Sequence, residues 1–174
     1  RVLMTKIVKD MMTNVKKHGH KVPQPAQSKS QLGLLKDVSS LATILDLLKA
    51  REASLFHSLV NKMGTLAKSG KSQFEILMRE TSDTIQNLAM AYGERRTMEA
   101  SLATLRKIKN EENVRVMTTV LRVFGLDCIK QNLGFYLVQG VVSREAAANL
   151  ISLQNVLIKE VAANVDSLIN SLSV

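Results

Sequence analysis

Apolar residues recur at every third or fourth position through most of this chain, and that spacing predicts helices. In the first segment Leu3, Ile7, Val8, Met11 and Val15 share one stripe, which closes at Lys16, Lys17, His18 and Gly19. A basic end suits the C-terminal pole of the helix dipole. Residues 20–39 then turn polar, carry both prolines, Pro23 and Pro25, and read as a linker. From about Ser40, a stripe running from Leu41, Ile44, Leu45 and Leu48 to Leu59, Val60, Met63 and Leu66 predicts one helix of about 28 residues, roughly 42 Å long, closing at Ser69-Gly70. A second long helix is expected after Ser72, through Phe74, Leu77, Ile85, Leu88, Tyr92, Leu102 and Leu105 to about Lys109, with a kink at Gly93. Asn110 to Asn113 reads as a tight reversal. Val114, Met117, Leu121, Phe124, Cys128, Leu133 and Leu137 define the next helix, stopped by Gly140 in a left-handed conformation. Ser143 is a good N-cap for a last helix through Leu150, Leu157, Val161, Val165 and Leu168 to the end.

No stretch alternates with period two between turn signals, so the expected fold class is all-α. Long helices with short connections bury their stripes by packing antiparallel, as an up-and-down bundle of about four long helices over residues 40–174. The helix over residues 1–19 stands on the linker of residues 20–39 and is free to dock elsewhere. Its apolar stripe is expected to drive self-association. No internal repeat appears, nor a heptad seam long enough to demand a coiled coil.

With 174 residues the chain fits one ordinary domain and needs no covalent staples. It has 45% hydrophobic and 22% charged residues, which argues against a disordered polyelectrolyte. Aromatic residues at 3% and the lack of Trp remove the stacking surface of a single-strand binder. Of the 24 Lys and Arg residues, thirteen fall in residues 1–71 against four acidic ones, so the whole surplus of +9 belongs to the first part of the chain. Such a front suits a phosphate, nucleic acid or anionic membrane. Without an Arg cluster or Gly-rich cradle, a solvated lysine face is the simpler reading, and only weak, salt-sensitive nucleic-acid binding is expected. No run of about 18 apolar residues suggests a membrane span. Arg1 is not an initiator Met and the end, Ser171-Leu172-Ser173-Val174, is not a peroxisomal Ser-Lys-Leu address, so a soluble fragment or processed product is expected.

Candidate chemistry is sparse. His18 and His20 flank Gly19, but no Cys or carboxylate stands at a supporting spacing for a metal. Cys128 would need His57 within hydrogen-bond reach to act as a nucleophile, and an apolar flank makes a thiol inert. It is expected to be buried. Glu111 and Glu112 are adjacent, so on a helix they point about 100° apart and better suit a first helical turn than a paired acid. Gly64, Gly70, Gly93, Gly125, Gly134 and Gly140 form no phosphate-binding pattern. The eight Met residues suit an adaptable groove or, more commonly, gap filling between helices. No catalytic residue and no metal ligand is assigned; cofactor-binding residues are left open.

The stretch Ile129-Lys130-Gln131-Asn132-Leu133-Gly134-Phe135-Tyr136-Leu137-Val138-Gln139-Gly140-Val141-Val142-Ser143 resembles the C-terminal helical domain of the acyl-CoA oxidases. There a helix with an Ile-x-x-x-x-Gly-x-Phe/Tyr-Leu pattern leads to a Gly-x-Leu-Ser turn and a final amphipathic helix. The opening Arg1-Val2-Leu3-Met4-Thr5-Lys6-Ile7-Val8-Lys9-Asp10 is similar to the segment that follows the family's Glu-Gly-Asp-Asn motif. That resemblance implies that the glutamate which removes the α-proton lies before Arg1, and that residues 1–19 continue from an upstream domain. Thr5 stands where the family usually has Gln, and Leu168-Ile169-Asn170-Ser171-Leu172 replaces a common Leu-Val-Asp-Ala-Phe.

What the resemblance implies is an FAD-dependent, homodimeric flavoprotein of peroxisomal fatty-acid β-oxidation. It oxidises acyl-CoA to trans-2-enoyl-CoA and passes the electrons to O₂ as H₂O₂. This region would then serve packing against the upstream domains and dimer assembly, and would be catalytically silent alone. Without the resemblance, long helices with few aromatics equally suit a cytoplasmic scaffold or adaptor bundle that binds partner helices.

Overall fold

The computed structural model describes residues 39–172, and over these the chain is all-α, with no strand among the described residues. Four long helices carry it: α1 (Leu41–Lys68), α3 (Ser82–Leu105), α4 (Glu111–Gln131) and α6 (Arg144–Ala162), of 28, 24, 21 and 19 residues. Short pieces join them: α2 (Gln73–Glu75), α5 (Leu133–Val138) and α7 (Val165–Leu172). The stripe and linker expected within residues 1–38 lie outside the described residues, as do His18 and His20.

Caps mark the helix ends. The Ser40 hydroxyl accepts from the Thr43 backbone N–H, and Ser72 and Glu75 form a reciprocal capping box at α2. Asn110 and Ser143 cap α4 and α6 through the N–H groups of Asn113 and Ala146. Gly70 and Gly140 supply the positive φ, +80° and +63°, that end α1 and α5. Glu111 and Glu112 lie exposed in the first turn of α4, as their spacing predicts.

Three expected helices are interrupted, each by a side chain that competes for a backbone carbonyl. After Ser72 the helix breaks at Thr81, where N–H and hydroxyl both donate to the Ile76 carbonyl. The ladder there opens into a π turn over Ile76–Glu80. The helix then runs unbroken through Gly93, which introduces no break, and stops at Leu105 rather than Lys109. Asn132 donates its side-chain N–H to the Cys128 carbonyl and separates α4 from α5. Asn164 does the same to the Glu160 carbonyl and separates α6 from α7.

The chain forms two compact units. In one, spanning residues 48–95 among those described, α1 and α3 run antiparallel. Leu59, Ile85 and Leu88 form its core, with Leu55, Phe56, Met63 and Leu77 packed around them. The other comprises residues 39–47 and 96–172 among those described. Here α4 packs on α6, and Ile44, Leu47, Met98, Leu126, Ile129 and Leu150 are fully buried. Gly125 allows the closest approach, because a Cβ there would overlap Cγ2 of Ile44. Tyr136 is enclosed completely and its hydroxyl donates to the Leu47 carbonyl at 3.3 Å.

Candidate functional site

The first unit holds a group of charges that the apolar periodicity hides. Consecutive residues Arg51 and Glu52 of α1 meet Glu94 and Arg95 of α3 with their signs reversed. Arg51 donates to Glu94 at 2.5 Å, while Arg95 pairs with Glu52 through Nε and, at 3.2 Å, through Nη2. Glu52 is 2% exposed and Arg95 5%. The Arg95 guanidinium also lies 5.3 Å from the centre of the Tyr92 ring, which adds a cation–π contact. Burial pushes the Glu94 carboxyl above the usual carboxylate range, and Arg51 offsets only part of that rise. Two opposite charges side by side inside a helical apolar stripe, Arg51-Glu52 and Glu94-Arg95, were the available signal for this quartet.

Other basic residues of the unit are also engaged. Lys71 pairs with the Glu80 carboxylate and Lys62 donates to the Glu80 carbonyl; Lys71 holds Glu80 below its ordinary pKa. Of the basic residues between 39 and 71, Arg51, Lys62 and Lys71 therefore face partners within the unit. A largely apolar groove of about 430 Å³ lies nearby, lined by Val60, Met63, Gly64, Ala67 and Ile76, with Lys71 and Gln73 at its edge.

In the second unit α4 and α6 share a polar seam. Gln154 donates to Asp127 at 3.2 Å, Asp127 also accepts from Gln131 at 2.6 Å, and Glu160 accepts from Thr119 at 3.2 Å. Gln154 is 2% exposed, yet its Oε1 has no hydrogen-bond partner, and the same holds for the buried Nε of Arg122. A second groove, of about 230 Å³, is lined by Ala100, Ser101, Thr104, Leu105, Ile108, Met117 and Leu121.

Cys128 is buried at 7% exposure, as expected from its apolar stripe. His57 is exposed, its ring edge-on to Phe56 at 5.9 Å. Among the described residues no three His, Cys, Asp or Glu side chains converge as metal ligands. Met residues divide between the two expected uses: Met98 fills the core beneath Gly125, and Met63 and Met117 line the grooves. No helix among the described residues is long and apolar enough to cross a membrane.

A flavin needs polar donors converging on its ring edge and on its phosphates. Neither groove supplies them, and the positive-φ glycines close helices rather than open them, so neither groove fits a flavin. What the arrangement offers is helix pairs held in register by buried polar contacts. Compared with known families, residues 40–174 match the model of the acyl-CoA oxidase family. No curated protein and no solved structure matches the chain.

Proposed function

The chain belongs to the acyl-CoA oxidase family, and on that premise we propose that residues 40–174 form the C-terminal helical domain of an FAD-dependent peroxisomal acyl-CoA oxidase. In this reading residues 1–19 form a helix continuing from an upstream domain and residues 20–39 a linker. The domain packs against the upstream domains and takes part in homodimer assembly. The observation that carries the reading is the family match, which covers all four long helices.

FAD and the acyl-CoA substrate belong, in this proposal, to the longer enzyme. There a flavin would supply the hydride acceptor for the acyl chain, and no residue of this chain is assigned to hold it. This chain contributes helix faces whose register is fixed by buried charges, so its work is to hold other surfaces in place. The scaffold alternative has the same helices but no reason for the family match.

The test has two arms. The longer protein that contains this chain should copurify with FAD and release H₂O₂ in an acyl-CoA-dependent assay, and it should read Glu-Gly-Asp-Asn shortly before Arg1. The 174-residue chain with added FAD should show no turnover above background. A longer protein with neither flavin nor oxidase activity would sink the proposal, and turnover by the isolated chain would sink the assignment of a purely supporting role.

A further inference from the structure

Helix α6 carries two apolar rows. One, with Ala146, Ala147, Leu150, Gln154 and Leu157, is buried. The second, Ala148, Ile151, Asn155, Ile158 and Ala162, is exposed along its whole length, with Ile151 at 42% and Ile158 at 46%. Its steps of three, four, three and four residues are those of a heptad seam, the spacing that keeps a face turned toward a straight partner helix. Over 19 residues the seam is too short to form a coiled coil alone, but it sits on a helix already held by its other face.

Charge says what covers it. Glu145 and Lys159 lie on the same flank of the seam, both exposed, and neither is in an ion pair among the described residues. They are two heptads apart, roughly 21 Å along the axis. We infer that α6 docks against α6 of a second copy of this chain, antiparallel, across a two-fold axis. In that register each copy's Glu145 meets the other's Lys159, giving two ion pairs, and Ala148 faces Ile158, small against large. A parallel alignment would instead set Glu145 on Glu145. One surface that satisfies itself by rotation is the requirement of an isologous interface. The inference rests on the homodimer reading above for the existence of a second copy and assigns the face it uses.

Sedimentation velocity of the full 174-residue chain over a concentration series tests it, with helicity and thermal melting followed in parallel. Ile158→Asp should raise the dimer dissociation constant roughly tenfold or more while leaving the melt unchanged, since Ile158 is exposed in the protomer. Glu145→Lys and Lys159→Glu should each weaken association several-fold and more at low salt, and together restore it. A dimer that none of these variants alters, such as one built through residues 1–17, overturns the α6 seam and leaves the homodimer reading standing. A chain that stays monomeric throughout overturns the α6 seam, and a longer protein that is also monomeric overturns the homodimer reading.

Discussion

The two units solve helix pairing by different chemistry. Between α1 and α3 the contact level with Arg51 and Glu52 is ionic and buried, and an apolar cluster around Leu59 closes the pair further along. Between α4 and α6 small and apolar residues pack around a neutral Gln154, and in the same unit Gly125 of α4 lets Ile44 of α1 come within contact. Ion pairs constrain register sharply, since a shift of one residue would set Glu52 against Glu94. A packed apolar row tolerates small adjustments, but not added volume.

The largest expected effect breaks the ionic side of this contrast. Arg95→Met strands Glu52 as an unpaired buried carboxylate and should destabilise the chain by about 3–5 kcal/mol in urea melts, whereas Glu52→Met with Arg95→Met should recover most of that loss or exceed the starting stability. If the double variant is as damaged as the single one, packing rather than charge pairing holds α1 to α3. Next comes Gly125→Ala, whose Cβ meets Ile44 and should cost about 1–3 kcal/mol; an unchanged melting curve would show that Ile44 has room to move.

Gln154→Met should change stability by less than about 1 kcal/mol, because the lost hydrogen bond to Asp127 is offset by removing a buried Oε1 that has no partner. A large loss there would place the α4–α6 pair on the same polar footing as α1–α3. The smallest effect is a slope. Glu94 has a raised carboxyl pKa, so the folded state holds its proton more tightly than the unfolded chain does. Its contribution is complete below the unfolded value and declines as pH rises through the folded one. Stability of the native chain relative to Glu94→Gln should therefore fall as pH rises above the ordinary Glu value of about 4.3. A rising difference over that range would reverse the assigned balance between burial and Arg51.

Much of the helix content was legible because burial of one face demands a repeat near 3.6 residues. That demand placed α1 to within a residue, put Cys128 inside, and made Ser143 and Gly140 a cap and a stop. The breaks at Thr81, Asn132 and Asn164 were not legible. Each depends on whether a short polar side chain turns back to a carbonyl or outward to water, a choice made by its surroundings. The resemblance across Ile129 to Ser143 likewise pointed to the family that residues 40–174 match.

The sequence by itself therefore determined the helix class, the capped ends and the inward stripes, since these follow from local chemistry and periodicity. Only the tertiary structure decided which charges are buried and with what partners. Arg51 and Glu52 stand out inside an apolar stripe but have no assignable partners until α3 is laid beside α1, because the energy of a charge depends on the water it loses and the opposite charge it meets, and both are set by residues more than forty positions away.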